Sequence, residues 1–204
     1  AAHRDGIKVL LWIRSFNAEG LPQNECVTSL TNPIAADPAN PAFIERTQRN
    51  IHTLLSDAPG CCNCDGFKVD FINCIPSGEN IETHVPGMYG VELVKCWLHL
   101  LYTASKAAKP EALLNVSCAH PYMAEDADQI RIHDYHGELN AVCSVMGYRA
   151  GLAKAVYPGI AIDCDSGGTF SRRDFLRYMR YQPEIGVPDL YWLSPSYAVP
   201  FDDA

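Results

Sequence analysis

Acidic side chains dominate the residues here that could do chemistry. Asp70 sits in the segment GFKVDF, and Asp134 closes the segment QIRIHD. In an extended strand, Lys68 and Asp70 share one face. A carboxylate beside an ammonium stays ionised, which suits a nucleophile that attacks without first losing a proton. A buried Lys-Asp pair that only holds a sheet together is the plainer reading. Arg131 and Asp134 are three apart, so a regular strand would point them to opposite faces. A bulge or turn at the strand end would let both reach one pocket. Two carboxyl groups on separate strands, one ionised and one protonated, are the machinery of glycoside cleavage. Asp128 precedes its strand and belongs at the opposite end.

These residues need elements to position them, and the sequence supplies a regular series. Ile7–Ile13, IKVLLWI, is a nearly continuous apolar run, the pattern of a strand buried on both faces. A loop rich in Pro and Asn follows from Arg14 to Asn40. Asn40-Pro41 then reads as an N-cap with proline at the first helical position. The helix extends to about Ser56, with Phe43, Ile44, Ile51, Leu54 and Leu55 as its apolar face. Gly66–Phe71 is a second strand. A helix runs from about Tyr89 to Ala108 and stops before Pro110. Ala112–Ser117 is a third strand, with a short helix expected in His120–Ala127. Gln129–Asp134 is a fourth strand and Leu139–Val156 a helix. Ile160–Cys164 is a fifth strand. Ser171 with Asp174 opens a helix that runs to about Arg180, and Asp189–Leu193 is a sixth strand.

Strand and helix thus alternate six times, which implies a parallel sheet with right-handed crossovers. Over 204 residues the spacing is about 34 residues per unit, close to that of an eight-unit β/α barrel. Six units leave either an open sheet or a barrel with two units outside this chain. In both arrangements active residues collect at the carboxyl ends of the strands. Those ends bring Trp12 and Arg14, Lys68 and Asp70, Ser117 to His120, Arg131 to Asp134, Asp163 and Asp165, and Trp192 and Ser194 toward one rim.

At these residues the chain resembles the retaining α-glycosidases of glycoside hydrolase clan D, which includes families 31 and 36, the α-glucosidases and α-galactosidases. IKVLLW resembles the clan's third barrel strand. DPANPAF, residues 37–43, resembles the segment that opens the next helix. GFKVDF resembles the fourth strand, whose Asp is the nucleophile, and Arg131–Asp134 resembles the sixth, whose Asp is the acid/base. Residues 160–192 look like strands seven and eight. The chain departs from the clan pattern at Val69, at His133 and in SCAHP after the third strand. The resemblance implies an α/β fold, a (β/α)8 TIM barrel of which this chain supplies about six units, strands 3–8, as a single partial catalytic domain. It implies Asp70 as nucleophile and Asp134 as acid/base. Lys68, Arg131, Asp163 and Asp165 would bind sugar hydroxyls, and Trp12 and Trp192 would offer apolar platforms. It requires no metal or organic cofactor. The two carboxylates must then face one sugar pocket, no more than about 10 Å apart.

Composition narrows the partners. Hydrophobic residues make up 48% and charged residues 20%, as in ordinary globular proteins, and no apolar run approaches the roughly 18 residues of a membrane span. A net charge of −8 argues against nucleic acid, because phosphate binding wants clustered cations. Arg172, Arg173, Arg177 and Arg180 read as a solvated helix face. Nine cysteines, several inside strands and helices, fit reduced thiols and favour a cytoplasmic over a secreted setting. Cys61-Cys62-Asn63-Cys64 holds one C-x-x-C, short of the two pairs a zinc site usually needs. The expected partner is an oligosaccharide or glycoside. Open sheet edges could pair two copies into a homo-oligomer. Two other readings stay open: a metal-dependent hydrolase using Asp163, Asp165, His120, His133 and His136, and a non-catalytic sugar-binding fragment.

Overall fold

The computed structural model describes residues 2–135, 141–165 and 172–189. The chain divides into two compact units: Ala1–Val116 with Glu125–Ala127, and Ser117–Ala124 with Asp128 onward. Both are built from parallel strands and helices, so the protein is α/β. Among the described residues no sheet closes into a barrel, and no helix is long and apolar enough to cross a membrane.

The first unit carries a βαβαβ core. β1 (Leu10–Arg14) pairs in parallel with β4 (Gly66–Asp70), which pairs in parallel with β6 (Leu113–Val116). The connections carry α1 (Pro41–Leu55) and α2 (Val91–Ala108), which pack on each other. The expected cap at α1 is present: the Asn40 side chain accepts from the N–H groups of Ala42 and Phe43, with Pro41 at the first turn. Phe43, Ile51 and Leu55 are buried along α1, with Thr47 between them. Phe16 and Phe43 both stack against Trp97 of α2, with ring centroids 6.1 and 6.0 Å away.

Strand alternation sorts β4 into two faces. Phe67 and Val69 are buried, as are Leu114 and Val116 of β6. Lys68 and Asp70 lie on the other face, in register with Trp12 and Arg14 of β1. β4 begins at Gly66, whose φ of 143° and position against Leu113 leave no room for a side chain: a Cβ there would lie 2.0 Å from the Leu113 carbonyl oxygen.

Three sequence expectations in this unit need correction. β1 is not buried on both faces, because Trp12 and Arg14 are exposed. The strand also starts later, at Leu10 rather than Ile7. The stretch from Arg14 to Asn40 is not all loop. It holds β2 (Cys26–Ser29) and β3 (Asn32–Ala36), and β2 also pairs with β5 (Ile81–Glu82) in an antiparallel sheet. The hairpin turns at Leu30 and Thr31, both at positive φ. Neither is a usual residue for that turn, and Pro33 inside β3 reads as a strand breaker.

The second unit holds β7 (Gln129–Arg131) in parallel with β8 (Ala161–Asp163), flanked by α3 (Val142–Val156) and α4 (Arg172–Ile185). α3 packs on α4 and on β8. At Gly147 the Tyr181 hydroxyl comes so close that a Cβ could not fit unless that ring moved. β7 is half the expected length, because the chain leaves the strand after Arg131. α4 runs past the expected end at Arg180 and takes Pro183 into its last turn. The segment expected as a short helix, Pro121–Asp126, is a 3-10 helix. The sixth expected strand, with Trp192, the turn at 166–168, Ser171 and His136 lie outside the described residues.

Candidate active site

In the first unit the site begins where β4 ends. Phe71 takes a φ of 55°, which turns the chain out of the strand immediately after Asp70. The Asp70 carboxylate is then held from two sides. Oδ1 accepts from the Phe71 N–H at 2.9 Å, and Oδ2 accepts from the indole Nε1–H of Trp12 at 3.0 Å. The backbone is tied too, since the Ser15 N–H donates to the Asp70 carbonyl.

Aromatic surface surrounds this carboxylate. The rings of Trp12 and Phe71 meet edge to face, 6.0 Å between centroids. They remain 52% and 40% exposed. The Arg14 guanidinium lies 5.2 Å from the centre of the Phe71 ring, a cation–π contact. Lys68 stands one step back on the same face, with Asn115 of β6 beside it in register. An oriented carboxylate, two accessible ring faces and two cations therefore share one strand-end surface. Apolar ring faces suit the C–H face of a sugar, and the cations suit its hydroxyls. Phe71 and Arg14 were not among the expected binding residues. Phe71 was hidden because a strand reading sends it to the opposite face from Asp70.

In the second unit the chain leaves β7 after Arg131. His133 takes a φ of 69°. Arg149 of α3 holds the segment after β7: its Nη1 donates to the carbonyls of Ile132, His133 and Asp134 at 3.2, 2.9 and 3.2 Å. No spacing in the sequence pointed to Arg149, because a single arginine on a helix reads as solvated.

Arg131 pairs with Asp165. Arg131 Nη2 lies 2.9 Å from Asp165 Oδ2, and the two side chains are 2% and 0% exposed. Asp165 has a φ of 49° just after β8. Its N–H donates to Asp163 Oδ1 at 2.9 Å, and its carbonyl accepts from the Tyr178 hydroxyl at 3.0 Å. Burial pushes the Asp165 carboxyl up to about 7; Arg131 opposes this, and Asp134 and Asp163 add to it. The neighbouring Cys164 thiol is pushed up to about 12, chiefly by burial, and stays protonated. Asp163 and Asp165 were expected to bind hydroxyls. Both are buried, and Asp165 is ion-paired with Arg131 inside its own unit.

Away from the strand ends, the chemistry is structural. Asp65 precedes β4 and is 5% exposed. It accepts from the Val9 N–H at 2.8 Å, His3 Nε2 at 2.7 Å and Lys109 Nζ at 3.1 Å. Burial raises this carboxyl, but those donors and Lys8 outweigh it and hold it well below the usual carboxylate range. The cysteine run sits beside it, at the start of the strand and away from Asp70. Its backbone is pinned to the end of α1 through Cys62 N–H to Thr53 and Cys64 N–H to Leu54. All nine cysteines are free thiols, and among the described residues no three His, Cys, Asp or Glu side chains gather to hold a metal ion. His133 is exposed, and His120 Nδ1 accepts from the Tyr122 N–H.

No protein-family model matches this sequence, and no curated protein matches it.

Proposed function

We propose that this chain is the greater part of a β/α-barrel glycoside hydrolase that cleaves α-glycosides, such as α-galactosides, with retention of configuration. The observation that carries the reading is the Asp70 carboxylate, held by the Trp12 indole and the Phe71 N–H at the edge of two exposed aromatic rings. A carboxylate fixed beside apolar sugar-stacking surface suits attack on an anomeric carbon. The order of motifs along the chain supports the same reading.

In the first step Asp70 forms a bond to the anomeric carbon. The bond to the leaving oxygen breaks, its electron pair stays on that oxygen, and Asp134 supplies the proton. In the second step Asp134 takes a proton from water. The water oxygen bonds to the anomeric carbon, and the electron pair of the broken ester bond returns to Asp70. Lys68 and Arg14 hold hydroxyls around the first carboxylate, and Trp12 and Phe71 stack on the ring.

Turnover of a panel of nitrophenyl α-glycosides by the wild type and Asp70→Asn tests this. Hydrolysis with retained configuration by the wild type, reduced to background in Asp70→Asn, is expected. Equal turnover by the two proteins contradicts it.

A further inference from the structure

We propose that the cavity between the end of β7 and α3 binds a small organic monoanion, a carboxylate on a compact apolar body, with Arg149 as its counter-ion. The cavity is lined wholly by residues of the second unit and is independent of the hydrolase reading of Asp70.

Helical spacing builds one wall. Arg149, Leu152 and Val156 follow one another at three and four residues, so they share one face of α3. The exit of β7 supplies the rest, with Arg131, Ile132 and His133, joined by Ala119 from the segment after β6. The cavity these residues line has a volume of about 370 Å³. That is the lower end of the roughly 300–1,000 Å³ of small-molecule sites, so the occupant is small.

Charge decides what fits. The Arg131 side chain is 2% exposed, and its guanidinium is ion-paired with Asp165. Arg149 is placed differently. Its Nη1 donates to the carbonyls of Ile132, His133 and Asp134, and carbonyl oxygens orient a guanidinium without neutralising it. Among the described residues no carboxylate forms an ion pair with Arg149. Those three hydrogen bonds all use one nitrogen, whereas the group carries donors on three. Its Nε and Nη2 make no hydrogen bond to a described residue. They form the edge that takes a carboxylate through two parallel bonds.

The remaining lining favours an apolar body behind that carboxylate. Ala119, Ile132, Leu152 and Val156 present carbon to the cavity. Such walls strengthen a charge pair by keeping water away. They also penalise an anion that must stay fully hydrated, such as inorganic phosphate. One fixed guanidinium without a carboxylate partner is matched by one negative charge.

The test is a titration of the intact chain, followed by nuclear magnetic resonance, with benzoate and isovalerate, with their amides, and with inorganic phosphate. Saturable binding of at least one carboxylate is expected, with shifts centred on Arg149, Leu152 and Val156. Its amide and phosphate should bind about tenfold more weakly or less, the order of one charge-assisted hydrogen bond. Arg149→Gln would remove the counter-ion but also three carbonyl contacts. Leu152→Glu is therefore the variant of choice, because Leu152 is 50% exposed and its replacement sets a like charge beside the carboxylate. Carboxylate binding should fall about tenfold in Leu152→Glu, with amide binding little changed. The wild-type titration needs no variant to fold. No saturable carboxylate binding, equal binding of acid and amide, phosphate binding as tight as the carboxylate, or carboxylate binding unaltered in Leu152→Glu would each overturn the proposal.

Discussion

The indole of Trp12 and the carboxylate of Asp70, fifty-eight residues apart in sequence, form a hydrogen bond of 3.0 Å across neighbouring parallel strands. The register that pairs Trp12 with Lys68 and Arg14 with Asp70 sets this up, since it leaves Trp12 two residues behind Asp70 on the same face. The indole can then reach forward along the strand to the carboxylate.

Trp12→Phe keeps the ring and removes the donor. A hydrogen bond to a charged group is worth about 1.5–3 kcal/mol, and at this exposed site the lower end applies. A loss of about tenfold in kcat is expected, with a smaller change in KM and an unchanged fold. Steady-state kinetics on an activated α-glycoside, with circular dichroism as the control, measures it. An unaltered kcat would mean that the indole does not position the carboxylate.

Asp134→Ala should discriminate between leaving groups. General acid catalysis contributes roughly 10²–10⁴, and that contribution is lost in full where the leaving oxygen is poor. A nitrophenolate departs without help, so formation of the intermediate from such substrates should be affected far less. Equal loss across a leaving-group series would remove the acid role from Asp134.

Two of the buried carboxyls away from Asp70, those of Asp65 and Asp165, give opposite pH slopes. Asp65 is held below its ordinary range when folded, so its contribution is present above the unfolded value of about 4 and is lost as pH falls below it. Asp165 is raised to about 7. Its contribution is therefore complete below about pH 4 and is lost as pH rises through about 7. Asp65→Asn, which strands His3 and Lys109 against a neutral group, should cost about 3 kcal/mol at neutral pH and flatten the acid side of the stability curve. Denaturant midpoints across pH for the wild type and Asp65→Asn check this; curves that run parallel would contradict it.

Gly66→Ala tests the start of β4. The added methyl would meet the Leu113 carbonyl oxygen at 2.0 Å in a left-handed backbone conformation, and neither strand can retreat without breaking the ladder. A loss of about 3 kcal/mol or more is expected, read as a drop in urea midpoint. A midpoint unchanged from wild type would show that the strands are not this closely apposed.

Much of the frame was legible in the sequence because it rests on local signals. The Asn40-Pro41 cap marked the start of α1 to the residue, Pro110 marked the end of α2, and the apolar runs marked β4 and β6. The hairpin of β2 and β3 was not legible, since its turn uses Leu30 and Thr31 at positive φ and its second strand carries Pro33. At the candidate site, the shared face of Lys68 and Asp70 follows from strand periodicity alone. The ion pair of Arg131 with Asp165 does not. It joins β7 to the end of β8 across a long stretch of sequence, and no periodic pattern encodes such a contact. Burial of Asp165 was equally hidden, because an aspartate before a Ser-Gly-Gly turn reads as solvent-facing.

The account depends most on Asp70 becoming covalently attached to substrate. The direct measurement is mass spectrometry of the protein after reaction with a fluorinated α-glycoside whose glycosyl-enzyme breaks down slowly. A mass increase of one glycosyl unit, located by peptide mapping to Asp70 and absent from Asp70→Asn, is the predicted result. A label on a different residue, or hydrolysis with inverted configuration and no label, would contradict it.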